Sequence, residues 1–173
     1  MKILNLGCGI DYKYNCINLD YNKRFKADVY QNLDKFPYPF KNNEFDLIYC
    51  FHILPCVSDL NKTLKELYRI LKPEGIIHIR LAHFSNGNGY ADFQIKRTFG
   101  WYSFDRLFNG NFNTDLKFEI ISKRFNFLSV DYPVANTFFS WIWNILPKRF
   151  YERFLCWILP VGEIELKIKK RLK

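Results

Sequence analysis

Residues 1–20 read MKILNLGCGIDYKYNCINLD. KILNL (2–6) is a short apolar run, Gly7 and Gly9 follow it, and a second run, INLD (17–20), closes on Asp20. A glycine pair straight after a strand lets the backbone turn sharply and approach a ligand, because no Cβ stands in the way. An acid at the end of the next strand is placed to accept hydrogen bonds from the two hydroxyls of a ribose. A dinucleotide fingerprint needs a third glycine opening a crossover helix, and an acid about twenty residues on. Here the third glycine is missing and Asp20 comes eleven residues after Gly9. The spacing therefore points to a nucleoside ligand without a pyrophosphate.

Further along, ADVY (27–30) reads as a third strand and EFDLIYCF (44–51) as a buried central one. TLKELYRILK (63–72) repeats Leu64, Leu67, Tyr68 and Leu71 on one helical face, and Pro73 and Gly75 stop that helix before GIIHIRLA (75–82), the next buried strand. Two more strands are expected near 117–125 and 162–170. Strands alternating with helical patterns predict an α/β, Rossmann-like, mostly parallel sheet with helices on both faces. The last strand is expected antiparallel, since only short connections precede it and a helical insertion or lid at 133–160 occupies the crossover. At 173 residues and 49% hydrophobic, the chain reads as one domain over 1–173.

Five cysteines without a CxxC pair, and a strand beginning directly after Met1 and Lys2, predict reduced thiols, no secretory leader and a cytoplasmic protein. Cys50, His52, Cys56 and His83 match no compact zinc pattern, so no metal is expected. The net charge of +9 is uneven: residues 1–60 carry seven Lys/Arg and seven Asp/Glu, and residues 61–173 carry nineteen and ten. Anionic partners should meet the later segments. The aromatic stretch TFFSWIWNILPKRFYERFLCWILP (137–160) has apolar runs shorter than the roughly 20 residues a spanning helix needs. It reads as a helical cover for the sheet or as a peripheral contact with the inner face of a membrane.

NLGCG (5–9), NLD (18–20), FPYPFKNNEFDLIYCFHIL (36–54) and ELYRILKPEG (66–75) resemble the successive motifs of class I S-adenosylmethionine-dependent methyltransferases, over roughly residues 2–110. The stretch 82–108, YERFL (151–155) and EIELKIKK (163–170) are similar to compact bacterial and archaeal members of the methyltransferase domain 11 type, whose first crossover helix is nearly absent. The resemblance implies S-adenosylmethionine as cofactor. Asn5, Gly7, Cys8 and Gly9 would surround its methionine part, Asp20 its ribose, Asn32 and Leu33 its adenine, and Phe51 and His52 its sulfonium. His83, His52 and Asp92 are the catalytic candidates, His83 being the preferred base. Relatives commonly carry Glu and His where this chain has Pro55 and Cys56, and a further His where it has Ile95. The expected reaction is direct methyl displacement onto a small-molecule, glycan or lipid-linked acceptor carrying an anionic group and an apolar portion. Two alternatives stand beside it. A nucleic-acid methyltransferase suits the charge, although no dedicated nucleic-acid module and no N/D-P-P-[YF] motif is present. A non-catalytic cofactor-binding protein suits the missing Glu and His. On the plain structural reading Cys8 is a small buried residue, His78 is structural, and Trp101 and Tyr102 are packing residues. The acceptor and the oligomeric state stay open.

Overall fold

Ten residues, 7–16, join the first two strands without a helix. They are pinned instead by Asn18, whose side chain accepts from the Lys13 backbone N–H at 2.9 Å and donates to the Lys13 and Cys16 carbonyls at 2.9 and 3.1 Å. The computed structural model describes residues 1–108, 116–128 and 133–171, the side chains of 135 and 138 excepted. β1 (Ile3–Leu6), β2 (Ile17–Asp20), β3 (Val29–Tyr30), β4 (Phe45–Phe51), β5 (Leu71–Ala82), β6 (Phe118–Asn126) and β7 (Glu163–Lys170) form one sheet in the order β3-β2-β1-β4-β5-β7-β6. β1 to β5 pair in parallel, while β7 runs antiparallel to both β5 and β6. The Rossmann-like sheet with an antiparallel last strand is the expected fold.

Two boundaries differ from expectation by three residues or more. α1 spans Leu60–Ile70, beginning earlier than residue 63, because Asp59 accepts from the Lys62 N–H and caps its first turn. β5 starts at Leu71, ahead of KPEG: pairing steps from Phe45↔Leu71 to Leu47↔Ile76, and the extra residues form a bulge with Glu74 at φ +62°.

Period-two alternation gives the sheet two unlike faces. Leu4, Leu6, Leu19, Ile48, Cys50, Ile77, Ile79, Leu81, Ile164, Leu166 and Ile168 form the first, all buried. Leu64, Leu67 and Ile70 of α1, and Phe104 and Leu107 of α3 (Ser103–Phe108), complete that core. At about 1.5–3 kcal/mol per fully buried aliphatic or aromatic side chain, this layer supplies most of the driving force for folding. The opposite face carries Tyr49, Phe51, His78, Arg80, Arg124, Glu163 and Glu165, tied by His78–Glu165 at 2.8 Å, Arg124–Glu165 at 2.7 Å and Arg80–Glu163 at 3.4 Å. The short α2 covers Asn88–Ala91.

The helical insertion expected before the last strand is present as α4 (Pro133–Ile145), α5 (Lys148–Phe150) and a π-helical turn, Tyr151–Leu155. β6 is an edge strand, and α4 covers its free backbone with side chains spaced four residues apart. Asn144 Oδ1 accepts from Phe125 N at 3.0 Å and its Nδ2 donates to Phe125 O at 2.8 Å; Ser140 Oγ accepts from Phe127 N at 2.9 Å, and Asn136 Oδ1 from Leu128 N at 2.9 Å. These bonds cover the C-terminal end of the β6 edge, at Phe125 and the two residues after the strand.

Candidate functional site

Gly7 and Gly9 sit at φ +66° and +49°, in the left-handed region that a Cβ disfavours. The Gly7 and Cys8 N–H groups donate to Leu19 O at 2.8 and 3.0 Å, folding the turn back over β2. Gly9 N–H donates to Asp20 Oδ2 and Asn22 N–H to Oδ1, both at 2.8 Å. Each Asp20 oxygen is thus fixed by one backbone donor and keeps acceptor capacity for a second. A Cβ on Gly7 would stand 2.5 Å from the Ile53 side chain, whereas a Cβ on Gly9 would meet nothing within 4 Å. Gly9 is the point where the backbone borders open space above the strand ends.

Asn5 and Cys8 lie beneath this turn. The Asn5 amide donates to Asp11 O at 2.7 Å and Asn18 Oδ1 at 3.0 Å, spending both N–H bonds on the loop. Cys8 is buried, and burial, with the Asp20 charge next, pushes its thiol up to about 11. It stays protonated at neutral pH and is a packing residue there.

Two cavities flank residues 52 and 53. The first, of about 450 Å³, is lined by Tyr21, Asn32, Leu33, Ile53, Cys56 and Phe93. It lies beyond the ends of β2, β3 and β4, where ligands of open α/β sheets collect. Its floor is braced by Asp34, which accepts from Ser58 N–H at 2.7 Å and pairs with Lys96 at 3.5 Å. The second, of about 970 Å³, is lined by His52, Asn86, Asp92, Ile95, Leu128 and Glu163 among others.

His52 directly follows β4 at φ +57°, a strained conformation for a non-glycine residue, and its backbone N–H donates to Arg80 O at 2.8 Å. Its Nε2 is 3.0 Å from Glu163 Oε1; the imidazole is half exposed and the carboxylate 4% exposed. Burial raises the Glu163 carboxyl, but the His52 hydrogen bond and charge, and then Arg80, outweigh it and hold the group below the usual carboxylate range. The result is a carboxylate–imidazole pair facing a cavity, an arrangement that orients a proton acceptor.

The remaining candidates fall elsewhere. His83 is completely buried; its Nδ1 is 2.8 Å from Ser85 Oγ and its Nε2 3.3 Å from Glu152 Oε1, among the rings of Phe84, Phe125 and Tyr151. It lines neither cavity. The Phe51 ring lies on the polar sheet face, with the Arg80 guanidinium 4.7 Å and the Lys13 ammonium 5.7 Å from its centroid. It lines neither cavity, and the two cations have a favourable electrostatic contact with the ring. Asp92 is exposed on the wall of the larger cavity, with Oδ1 accepting from Gln94 N–H at 2.9 Å. Trp101 packs against Phe125. Glu163 and Arg80 did not emerge from the sequence; the one signal was the alternation EIEL, which puts Glu163 and Glu165 on one strand face.

Residues 4–79 match the methyltransferase-domain family Methyltransf_11. The human protein named arginine-hydroxylase NDUFAF5, mitochondrial (Homo sapiens), is 33% identical over 90 residues, 42% of this chain and 26% of that one. An uncharacterised protein of Methanocaldococcus jannaschii is 37% identical over 84 residues, 42% of this chain and 37% of that one. The matches thus cover well under two thirds of either relative's length. A solved S-adenosylmethionine-dependent methyltransferase of Archaeoglobus fulgidus superposes with a TM-score of 0.62 at 16% identity, covering 98% of this chain and 86% of that one.

Proposed function

We infer that this chain, a class I methyltransferase by fold and by the methyltransferase domain over residues 4–79, uses S-adenosylmethionine to methylate an acceptor held beside His52. The observation that carries this reading is that the neighbouring residues His52 and Ile53 line two different cavities, one also walled by Tyr21, next to Asp20, and the other by Glu163, the partner of His52.

The residues present fit the cofactor. Gly9 offers backbone without a Cβ over open space, and Asp20 keeps lone pairs for the ribose. Asn32 and Leu33 offer an amide and an apolar wall for the adenine. When bound, S-adenosylmethionine supplies an electrophilic methyl group on a sulfonium. The chain contributes position and a proton acceptor. With Nε2–H donated to Glu163, the His52 lone pair is on Nδ1, free to take the proton of an acceptor hydroxyl, and Glu163 stabilises the imidazolium that forms. His52 takes this role in preference to His83, which is wholly enclosed.

A cavity of about 970 Å³ walled by Leu128, Val161, Asn86 and Asp92 suits an acceptor with polar and apolar parts, such as a glycan or a lipid-linked intermediate. A second reading, cofactor binding without transfer, draws support from Cys56 and Ile95, which place a thiol and an alkyl group on the two cavity walls. Incubating the protein and cell extract with methyl-labelled S-adenosylmethionine, then separating lipid, sugar, RNA and protein fractions, distinguishes the readings. The expected result is His52-dependent label in a lipid or sugar fraction. Cofactor binding with label in no fraction selects the second reading, and label in RNA overturns the acceptor class.

A further inference from the structure

The segment after β6 leaves an apolar surface uncovered. On α4, Val134, Trp141 and Ile145 share one helix face, with Trp141 58% and Ile145 72% exposed, while Trp143 on the other side stacks against Phe127. On the following turns Phe150, Phe154, Trp157 and Ile158 keep the same helical spacing, with Trp157 67% and Ile158 73% exposed, while Tyr151 and Cys156 point into the core. The two segments are joined, since Trp143 Nε1–H and the Tyr151 hydroxyl both donate to Leu159 O, at 3.1 and 2.9 Å. This exceeds the scattered exposed apolar residues normal for a protein surface.

Charge decides what covers it. Between residues 133 and 162 the only acid is Glu152. It is turned inward, accepting from the Trp101 backbone N–H and lying 3.3 Å from His83 Nε2. Arg149 and Arg153 are exposed beside the aromatic rings, and Lys148 is engaged by the carbonyls of Trp143, Asn144 and Leu146 at the end of α4. A surface of Trp, Phe and Ile edged by arginines, with no exposed carboxylate among residues 133–162, complements an apolar layer under anionic headgroups. Among the described residues no helix is long and apolar enough to cross a membrane. Contact in the plane of a lipid interface suits an apolar helical face with a basic margin.

We propose that the face formed by α4 and the turns through Ile158 docks on the surface of an anionic lipid bilayer. Leu128 and Pro160, at the margin of this face, also line the cavity that holds His52, so docking sets the mouth of that cavity at the interface.

The test is co-sedimentation of the full chain with vesicles of phosphatidylcholine alone or mixed with phosphatidylglycerol, across a salt series. Binding is expected to the mixed vesicles, weaker as salt rises, with a blue shift in tryptophan emission. Ile145→Ser with Ile158→Ser removes two side chains that pack against little else and should weaken binding about tenfold or more. Arg149→Glu with Arg153→Glu should abolish the preference for anionic lipid; thermal melts check that both variants remain folded. Absence of binding to mixed vesicles, or equal binding by the folded serine variant, overturns the proposal. A wild-type dimer dispersed by the same serine substitutions, without vesicle binding, assigns the face to a second copy and overturns it as well.

Discussion

His52 combines features that each mark a site: a positive φ at a strand end, a buried carboxylate partner and an imidazole half open to a cavity. If it accepts the acceptor's proton, His52→Ala should lower turnover by about 10²–10⁴-fold, the usual contribution of a general base, with cofactor affinity unchanged. Glu163→Gln should lower it less, because the imidazole remains and only its orientation and its counter-charge are lost. Steady-state kinetics beside calorimetric cofactor titration checks both, and wild-type turnover in His52→Ala would remove the histidine from the mechanism. His52 was legible in the sequence as a polar residue closing a buried strand. Glu163 was not, since its partnership depends on the antiparallel register Ala82↔Glu163, set across the sheet between residues far apart in the chain. The enclosure of His83 escaped the sequence for a related reason. Its place after β5 fits a cleft position, but Phe84, Phe125 and Tyr151 close over it from three parts of the chain.

Among the elements, β7 bears the most concentrated electrostatics. The Glu165 carboxyl lies far below its ordinary range: the His78 hydrogen bond does most, against burial, with Asn126 and Arg124 adding to it. A carboxyl depressed in the folded state contributes stability that is fully present above its unfolded value, about 4.3, and is lost as pH falls toward the folded value. Glu165→Gln should therefore cost about 1–3 kcal/mol at pH 7 and flatten the loss of stability below about pH 4. Thermal melts of both proteins from pH 7 to pH 3 check this, and parallel curves would contradict it. The first five strands were legible as apolar runs between turn residues, whereas the β7 segment EIELKIKK was marked by its resemblance to the end of family members. The cover on β6 was not legible. Ser140 and Asn144 lie within an aromatic stretch and Asn136 just before it, and the strand-end backbone groups their side chains satisfy are a tertiary feature.

At the scale of the whole molecule, the sheet's order and directions place the glycine turn, the acid of β2 and the histidine that follows β4 at one end of the parallel strands. The topology could be anticipated from the alternation of elements, whereas the two cavities could not, since their walls come from residues 86–96 and 160–163 folding back over the strand ends. The measurement that bears most directly on this arrangement is calorimetric titration of S-adenosylmethionine into the full chain and its Asp20→Ala variant. One molecule should bind per chain, and the variant should bind more weakly by about 1.5–3 kcal/mol, roughly tenfold to more than a hundredfold. No binding by the folded wild-type protein, or the same affinity in both, would contradict the assignment of this end of the sheet to the cofactor.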